Sequence, residues 1–402
     1  NFFWPSLLRF IILIYYILRD DNMIYLDYSA TTPTDSDVLD TFVKASKYIG
    51  NANSLHRLGS ESKQLIDASI AQIASLLHVR PSEVIFTSGA SESNNTAIKG
   101  ICLKYSNRGK TILTTRLEHS SILEPIRYLV EQFGFQVQYL DLDADGVIDL
   151  SSLKEKLNDD VLLVSVASVS SELGISQPIR EMASIIKEYP KCFFHVDMTQ
   201  SVGKEKVSFD GIDLASFSAH KFYGVKGIGC LIKKESVSLT PLIHGGKSTT
   251  VYRSGTPATA LIASLAKALR LAYENFPEKL EKIRSLHDYL ISCLKEIPEV
   301  HLNSTAASIP QIVNFSVSNI KSETLLHALE THEIYISTKT ACSSDVGISD
   351  SVYAVTGSKE YALHSLRVSI SHLTTKDELE EFVRVLKKCI RELSFQVGEG
   401  NA

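Results

Sequence analysis

The sequence has few cysteines, and they are scattered. Six occur among 402 residues, at positions 102, 192, 230, 293, 342 and 389. There is no CxxC pair and no cluster with the spacing of a metal site. Thiols used this sparsely are typical of a reducing compartment, where they stay free. We therefore expect a cytoplasmic protein without a bound metal.

An excess of positive charge is also missing. Lysine and arginine number 41 against 46 acidic residues, which gives a formal net charge of −5. Binding to a phosphate backbone is therefore not the default expectation, and we predict no direct contact with nucleic acid. The sequence contains no repeat and no low-complexity tract. Its length and its 44% of hydrophobic residues are typical of a globular protein with two domains.

A long uninterrupted hydrophobic run is absent as well. The most apolar stretch, residues 2–18, is broken by Pro5, Ser6 and Arg9 and falls short of a comfortable membrane span. It lacks the basic start and the small-residue cleavage site of a secretory signal. We expect Met23 to be the natural start, residues 1–22 to be an upstream extension, and the protein not to bind a membrane. A membrane anchor is the alternative.

From Met23 onward, short apolar runs alternate with stretches of helical periodicity. Strands are predicted at 84–87, 111–115, 137–140, 162–166, 192–196, 214–218 and 229–232. Apolar residues at helical spacing lie between them. This alternation predicts an α/β fold with a mostly parallel sheet that helices cover on both faces. Ligands of such sheets bind at the carboxyl ends of the strands.

The pattern changes after residue 258. The next stretch is almost wholly helical, as a connector between domains would be. Beyond it, elements of a smaller α+β domain are predicted at 312–316, 322–332, 366–370 and 376–393. We therefore predict a large domain at 34–258, a helical connector at 259–297, and a small domain formed by 23–33 and 298–395.

Lys221 is the first candidate for chemistry. It follows the apolar strand at 214–218 and precedes Gly224. A lysine that forms a Schiff base needs a desolvated setting, which lowers its pKa, and a fixed position. Ser218 and His220, on either side, can donate to a phosphate. Taken alone, the segment is equally compatible with a lysine that points to water from the sheet edge.

Asp197 ends the preceding buried strand, 24 positions before Lys221. A carboxylate there can keep a pyridine nitrogen protonated, which makes the ring an electron sink. Gln200 is close enough in sequence to contact a phenolic oxygen on the same ring. The alternative for Asp197 alone is a helix cap.

Two further loops follow predicted strands. Residues 87–95 (TSGASESNN) place small residues and hydroxyls at a helix start, where backbone N–H groups and the helix dipole bind phosphate. His119 follows the strand at 111–115 and can stack on a ring and relay protons. A simple cap and a packing histidine are the respective alternatives.

These segments, in this order, resemble the class V aminotransferase superfamily of pyridoxal-phosphate enzymes. Together with residues 25–33 (YLDYSATTP), they resemble its NifS/IscS-like cysteine desulfurases. The resemblance extends from Met23 to about Glu392. It implies fold type I of the pyridoxal-phosphate-dependent transferases, pyridoxal 5'-phosphate as cofactor, and a homodimer with shared active sites.

The resemblance also implies roles for the matching residues. Lys221 would be the Schiff-base lysine, Asp197 the partner of the pyridine nitrogen and Gln200 the contact of the phenolic oxygen. His119 would stack on the ring as an acid/base. Phosphate would be bound by Ala90, Ser91, Ser218 and His220, and by Thr256 of the RSGT segment at 253–256 in the neighbouring subunit.

The resemblance makes Arg367 the clamp of a substrate carboxylate, through a bidentate pair. Cys342 lies in the polar, small-residue stretch 337–344, unlike the other cysteines, and an accessible thiolate can attack and carry sulfur. It matches the family's nucleophile and lies 25 positions before Arg367, as in the group with a long, mobile cysteine loop. The implied reaction converts L-cysteine to L-alanine. The Cys342 persulfide then serves an acceptor protein in iron–sulfur cluster assembly or tRNA thiolation.

Several alternatives stay open. Selenocysteine lyase or another class V aminotransferase would use the same scaffold, and a persulfide-bearing platform would leave the chemistry to a partner. Residues 218–221 also fit the S-x-x-K motif, but its S-D-N and K-T-G companions are missing. His195, Asp197 and His244 mimic an iron site, although such sites are typical of β-rich barrels.

Two local features qualify the resemblance. Ser170 stands where the family has an asparagine that helps to hold the phenolic oxygen, so we expect Gln200 to take more of that role. The tail after Leu393 is short and polar, with little to dock a scaffold protein. That tail favours a tRNA-thiolation partner.

Overall fold

A computed structural model describes residues 23–338 and 347–399 of the chain. The strands in these ranges are β1 (Ile24–Tyr25), β2 (Val84–Thr87), β3 (Thr111–Thr114), β4 (Gln136–Tyr139), β5 (Val161–Ala167), β6 (Phe193–Asp197), β7 (Leu214–Ser218), β8 (Gly229–Lys233), β9 (Val300–Leu302), β10 (Ile312–Val317), β11 (Ile334–Tyr335) and β12 (Ser365–Ser369). The α-helices there are α1 (Ser36–Ala45), α2 (Arg57–Leu77), α3 (Ala90–Lys104), α4 (Ser120–Phe133), α5 (Leu150–Lys156), α6 (Ile179–Ile186), α7 (Thr259–Tyr273), α8 (Phe276–Lys295), α9 (Ser322–Glu330), α10 (Asp350–Thr356), α11 (Lys359–Leu363) and α12 (Lys376–Glu399). Every strand predicted from the sequence is present, with ends shifted by no more than one residue.

The main sheet has seven strands in the order β2-β8-β7-β6-β5-β3-β4. Strands β7, β6, β5, β3 and β4 run parallel to one another. Strand β8 is antiparallel to both of its neighbours. Only residues 219–228 separate β7 from β8, and such a connection is too short for the crossover that parallel neighbours require. The predicted α/β class and mostly parallel sheet are confirmed.

Helices cover both faces of this sheet. In β5, Leu162 packs with α3 and α4 in one apolar cluster. Val164 and Val166 belong to a second cluster on the other side, with side chains from α2, α6 and α7. A parallel strand buried on both faces needs this almost continuous run of apolar residues. Full burial of each such side chain contributes roughly 1.5–3 kcal/mol of transfer free energy.

The segment at 259–297 consists of two helices that pack on different cores. They meet at Asn275, whose φ of 52° is left-handed, a conformation that asparagine tolerates better than most residues. Helix α7 contributes Leu265 and Leu269 to the core of the main sheet. Helix α8 contributes Leu290 and Leu294 to a separate core. Thus α7 packs on the core of the main sheet and α8 on the second core.

This second core lies on the antiparallel sheet β9-β10-β12. Its register places Asn314 opposite Arg367. Phe315 from the sheet and Phe382 from α12 are both fully buried there. The sheet therefore holds Arg367 on a rigid strand at the boundary between the two cores.

The first described residues connect the two domains. Strand β1 pairs in parallel with β11, and Ser369 N donates to Leu26 O in the small domain. A few residues later, Thr32 N donates to His220 O and Asp35 N donates to Tyr223 O, next to the end of β7. Residues 26–35 therefore cross from the small domain to the carboxyl edge of the large sheet.

Among the described residues, no helix combines the length and the apolar character needed to cross a membrane. The prediction for residues 1–22 lies outside the described ranges. The cysteines inside those ranges, at 102, 192, 230, 293 and 389, are free thiols.

Candidate active site

The carboxyl ends of the parallel strands open into a cavity of about 630 Å³. This volume is ordinary for a small-molecule site. The predicted site residues among its lining are Ala90, Ser91, His119, Asp197, Gln200, Ser218, His220, Lys221 and Arg367. Thr256 lines a different surface hollow. Cys342 lies outside the described residues.

Lys221 ends a single 3₁₀ turn (Ala219–Lys221) that directly follows β7. Its Nζ donates to the carbonyl oxygens of Ser29 at 2.6 Å and Ala30 at 2.9 Å. These carbonyls belong to the segment that crosses between the domains. The amine is therefore held in the cavity wall by backbone groups that lie 192 and 191 positions away in the sequence.

Asp197 is buried at the end of β6 and accepts two hydrogen bonds. Its Oδ1 accepts from the backbone N–H of Thr199 at 2.9 Å, and its Oδ2 accepts from Asn94 Nδ2 at 2.8 Å. Asn94 is fully buried on α3 and is not among the predicted site residues. Helical spacing to the apolar residues Ala97 and Ile101 is the signal that identifies Asn94 as an inward-facing residue.

His119 is the N-cap residue of α4. Its Nδ1 accepts from the backbone N–H of Ser121 at 3.1 Å and lies 2.9 Å from Ser121 Oγ. Burial is the main cause that lowers the pKa of His119; the charge of Asp197 opposes it and that of Lys221 adds to it. The imidazole is therefore neutral at pH 7. This ring lines the cavity above the strand ends.

The amino end of α3 forms the opposite wall, at Gly89, Ala90 and Ser91. The helix is 15 residues long, so its unpaired N–H groups and its dipole favour an anion. A Cβ on Gly229 of β8 would lie 2.6 Å from Gly89 Cα, so only glycine permits this close approach. Ser218 lines the same region.

His220 lies next to this wall, with its Nδ1 3.2 Å from Thr31 Oγ1. Burial, followed by the charge of Lys221, lowers the pKa of His220 to about 4. A neutral imidazole at this position carries one ring N–H that can be donated to a phosphate oxygen.

Gln200 is buried and its amide is held at both ends. Nε2 donates to Ser29 O at 3.0 Å, and Oε1 accepts from Lys204 Nζ. Lys204 is not among the predicted site residues. Burial, followed by the positive charges of Lys221 and Arg367, lowers the pKa of Lys204 well below its usual value. A second amine with a lowered pKa thus lies next to the site.

Arg367 is buried in β12. Its Nη2 donates to Asp27 Oδ1 at 2.7 Å and its Nη1 donates to Ser171 O at 2.8 Å. Among the described atoms, its buried Nε has no hydrogen-bond partner. Two fixed anchors therefore orient the guanidinium, and these two bonds leave three of its five N–H donors for other acceptors.

Ser170 is buried between two residues that line the cavity, Val169 and Ser171. Its Oγ accepts from the backbone N–H of Leu173 at 3.4 Å. The short side chain thus bonds back to its own loop. The prediction that Gln200 takes more of the contact with a phenolic oxygen stays a prediction.

The alternative of an iron site does not fit the geometry. Both ring nitrogens of the fully buried His195 are bonded to neighbouring strands, Nδ1 with Ser165 Oγ at 2.9 Å and Nε2 with Ser216 Oγ at 3.0 Å. His244 is exposed and is not among the residues that line the cavity. Within the described part of the chain, no group of three histidine, cysteine or acidic side chains is arranged to hold a metal.

The residues present fit pyridoxal phosphate. Asp197 offers a carboxylate for the ring nitrogen, Lys221 an amine for the aldehyde, and the start of α3 an anion site. Thr199 also lines the cavity, and its buried Oγ1 has no partner among the described atoms. Such an atom needs a bound group or water.

The lowered pKa of Lys204 predicts a pH-dependent stability. Because the unfolded chain binds this proton more tightly, the free energy of unfolding rises with pH until the pKa of an unfolded lysine is reached. Lys204→Met has no amine at this position, so its free energy of unfolding lacks this pH dependence. The free energy of unfolding of the variant minus that of the wild type should therefore be highest near pH 6 and fall towards about pH 9.5. Urea unfolding across this range measures the difference. Lys206→Met, at an exposed lysine two positions away, is the control; a constant difference for Lys204→Met would contradict the prediction.

Comparison with known proteins places these features in a family. The aminotransferase class-V family profile matches residues 24–382. A protein named cysteine desulfurase IscS from Dictyoglomus turgidum is 38% identical over 378 residues, which span 92% of this chain and 95% of that protein. One of the same name from Clostridium botulinum is 37% identical over 380 residues, with the same coverage of both chains.

Solved structures show the same relationship. A NifS-like protein is similar with a TM-score of 0.86 and 33% identity, covering 93% of this chain and all of that one. SspA, in a complex with cysteine, is similar with a TM-score of 0.77 and 29% identity, covering 87% of this chain and 99% of that one. The predicted resemblance is confirmed. The chain belongs to the class-V aminotransferase family of pyridoxal-phosphate enzymes, and within it to the cysteine desulfurases of the NifS and IscS group.

Proposed function

We propose that this enzyme transfers the sulfur of L-cysteine to the thiol of Cys342 and releases L-alanine. The observation that carries the proposal is the convergence of Lys221, Asp197 and Arg367 on one cavity at the carboxyl edge of the sheet. Relatives named cysteine desulfurase, and a similar protein solved in a complex with cysteine, support the choice of substrate. The atoms balance, because cysteine and a thiol give alanine and a persulfide.

The side chains divide the work. Bound pyridoxal phosphate supplies an electron sink for the electrons that a broken Cα–H bond leaves behind. Arg367, fixed by Asp27 and Ser171, binds the substrate carboxylate with N–H donors that these two bonds leave over. The Nζ of Lys221 removes the α-proton, and His119 assists proton movement. The Cys342 thiolate attacks the substrate sulfur, which is oxidised to the persulfide level while the β-carbon is reduced to a methyl group.

The described chain leaves the cavity wall a few positions before Cys342 in the sequence. Ser337 lines the cavity and exchanges two backbone hydrogen bonds with Arg367, at 3.0 Å and 2.7 Å. Cys342 is five positions farther along the sequence. Five residues span at most about 17 Å, which is enough to bring the thiol to a substrate held by Arg367. This anchor supports the assignment of Cys342 as the nucleophile.

The proposal predicts the result of a cysteine scan. Cys342→Ala should keep the visible absorption of the bound cofactor but lose alanine formation, because its sulfur acceptor is gone. Mass spectrometry should find the persulfide on Cys342 in the wild type. Cys293→Ala, at a half-buried thiol of α8, is the matched control and should keep full turnover. Persulfide formation that survives in Cys342→Ala would contradict the assignment.

Two other candidates use the same residues. Selenocysteine lyase or amino-group transfer would share the cofactor site, so selenocysteine and keto acids belong in the assay beside cysteine. A persulfide-bearing platform would show turnover only when its partner is added. Turnover of L-cysteine by the purified chain alone excludes the platform.

A homodimer with shared sites is part of the proposal. Thr256 is exposed and lines a surface hollow with Phe42 and Ile49 rather than the cavity of its own chain. Ile49 is 82% exposed, and Val251, near Thr256 in sequence, is 57% exposed. Apolar side chains left in water around Thr256 favour an interface between two copies.

The dimer predicts a cofactor defect on mutation of Thr256, which does not line the cavity of its own chain. Thr256→Ala should remain a dimer by sedimentation and bind pyridoxal phosphate several-fold more weakly, because one phosphate contact is lost. Thr249→Ala, at an exposed threonine earlier in the same loop, is the control. A monomeric wild type, or equal cofactor affinity in both variants, would refute the shared site.

We expect the final acceptor to be either an iron–sulfur scaffold or a tRNA-thiolation protein. The sparse cysteines favour a cytoplasmic location. A pull-down of the purified enzyme with each candidate acceptor decides between the two.

A further inference from the structure

A chain of hydrogen bonds connects the carboxylate of Asp197 with the imidazole of His119. Asn94 Nδ2 donates to Asp197 Oδ2 at 2.8 Å and to Ser121 Oγ at 2.9 Å. Ser121 Oγ in turn lies 2.9 Å from His119 Nδ1. Neither Asn94 nor Ser121 matches a predicted site residue. Since each group has a limited set of donors and acceptors, the direction of every hydrogen bond can be assigned.

The Asn94 amide has one compatible orientation. An ionised carboxylate only accepts hydrogen bonds, so the amide group that faces Asp197 has to be the NH₂. The opposite orientation would place two oxygen atoms against each other. In the observed one, both hydrogens of Nδ2 are used, and the buried Oδ1 has no partner among the described atoms. The network keeps this orientation although one amide oxygen remains unsatisfied.

The orientation of Asn94 fixes the hydroxyl of Ser121. Because Ser121 Oγ accepts from Asn94, its own hydrogen is available for His119 Nδ1. The backbone N–H of Ser121 points to the same nitrogen, at 3.1 Å. His119 Nδ1 therefore accepts two hydrogen bonds and carries no proton. The single proton of the neutral ring is on Nε2, at the far edge of the imidazole.

We propose that Asn94 and Ser121 are positioning residues for the reaction: they hold His119 as the Nε2–H tautomer and connect it to the carboxylate assigned to the cofactor nitrogen. The inference rests on the proposed function for its catalytic meaning. His119 then donates the proton of Nε2 to the substrate, and the same nitrogen takes up a proton again later in the reaction. Protonation at Nδ1 would require the Ser121 hydrogen bonds to break.

Charged groups around His119 are consistent with a neutral ring. Burial is the largest influence and lowers its pKa; Asp197 and Glu172 raise it, whereas Lys221 and Arg367 lower it. Glu118, the preceding residue, accepts from Thr115 Oγ1 and from the backbone N–H of Ala167, and burial raises its pKa to about 8. The net effect of burial and these charges lowers the pKa of His119, so the ring is neutral at pH 7.

Nitrogen NMR of holoenzyme with ¹⁵N-labelled histidine tests the tautomer directly. The His119 signal is assigned by its loss in His119→Gln. In the wild type, Nδ1 should have the shift of an unprotonated ring nitrogen and Nε2 that of a protonated one. A proton on Nδ1 would overturn the inference without any variant of the network. This readout needs cofactor binding but not turnover, so a failure of the proposed desulfurase activity would be seen separately.

Variants then test the two positioning residues. Ser121→Ala should raise the pKa of His119 by roughly half a unit to one unit, because a hydrogen bond to the neutral form is lost. It should lower kcat with little change in KM. Ser121→Thr, which keeps the hydroxyl, should restore both the pKa of His119 and kcat.

Asn94→Ala should shift the pH titration of the cofactor absorption, because Asp197 loses a donor. Asn95→Ala and Ser120→Ala are neighbouring controls. An unchanged pKa of His119 in Ser121→Ala would refute the role of Ser121. An unchanged pH titration of the cofactor absorption in Asn94→Ala would refute the role of Asn94.

Discussion

Parallel pairing of three buried strands fixes the positions on which the site depends. The β6–β7 register sets Asp197 opposite Ser216, and the β5–β6 register sets Ala167 opposite Asp197. The strand ends therefore meet along one edge of the sheet. A slip of one residue would turn every side chain to the opposite face, so the buried apolar pattern of β5 and β6 also protects the placement of Asp197. Core packing and chemistry are specified by the same residues.

The second requirement is the segment at 26–35, which crosses between the domains. It is anchored in the small domain by backbone hydrogen bonds and supplies the carbonyls of Ser29 and Ala30 to Lys221. Asp27, at its start, binds Arg367 through an ion pair at 2.7 Å. The amine and the guanidinium, which act on different parts of one substrate, are thus oriented by neighbouring positions of one short segment. A displacement of either domain would disturb both groups together.

The local elements could be predicted closely because their periodicity is a local property. Lys221, Asp197 and His119 could be located in the same way, because each lies at or shortly after the end of a strand; their roles stay predictions. Helical spacing marks Asn94 as inward-facing, but its bond to Asp197, 103 positions away, depends on the whole fold. The burial that lowers the pKa of Lys204 is also a product of the whole fold. The assignment of α8 to the second core likewise depends on tertiary packing. Roles for Thr256 and Cys342 came from resemblance and remain proposals.

The central claim is that Lys221 is the lysine that binds the cofactor, although Lys204 and Lys226 also lie close to the site. Borohydride reduction of the holoenzyme fixes the lysine–cofactor bond, and peptide mass spectrometry then locates the added mass. The account predicts a single modified peptide that carries the label on Lys221. A label on Lys204 or Lys226, or no label in an enzyme that has bound pyridoxal phosphate, would contradict it.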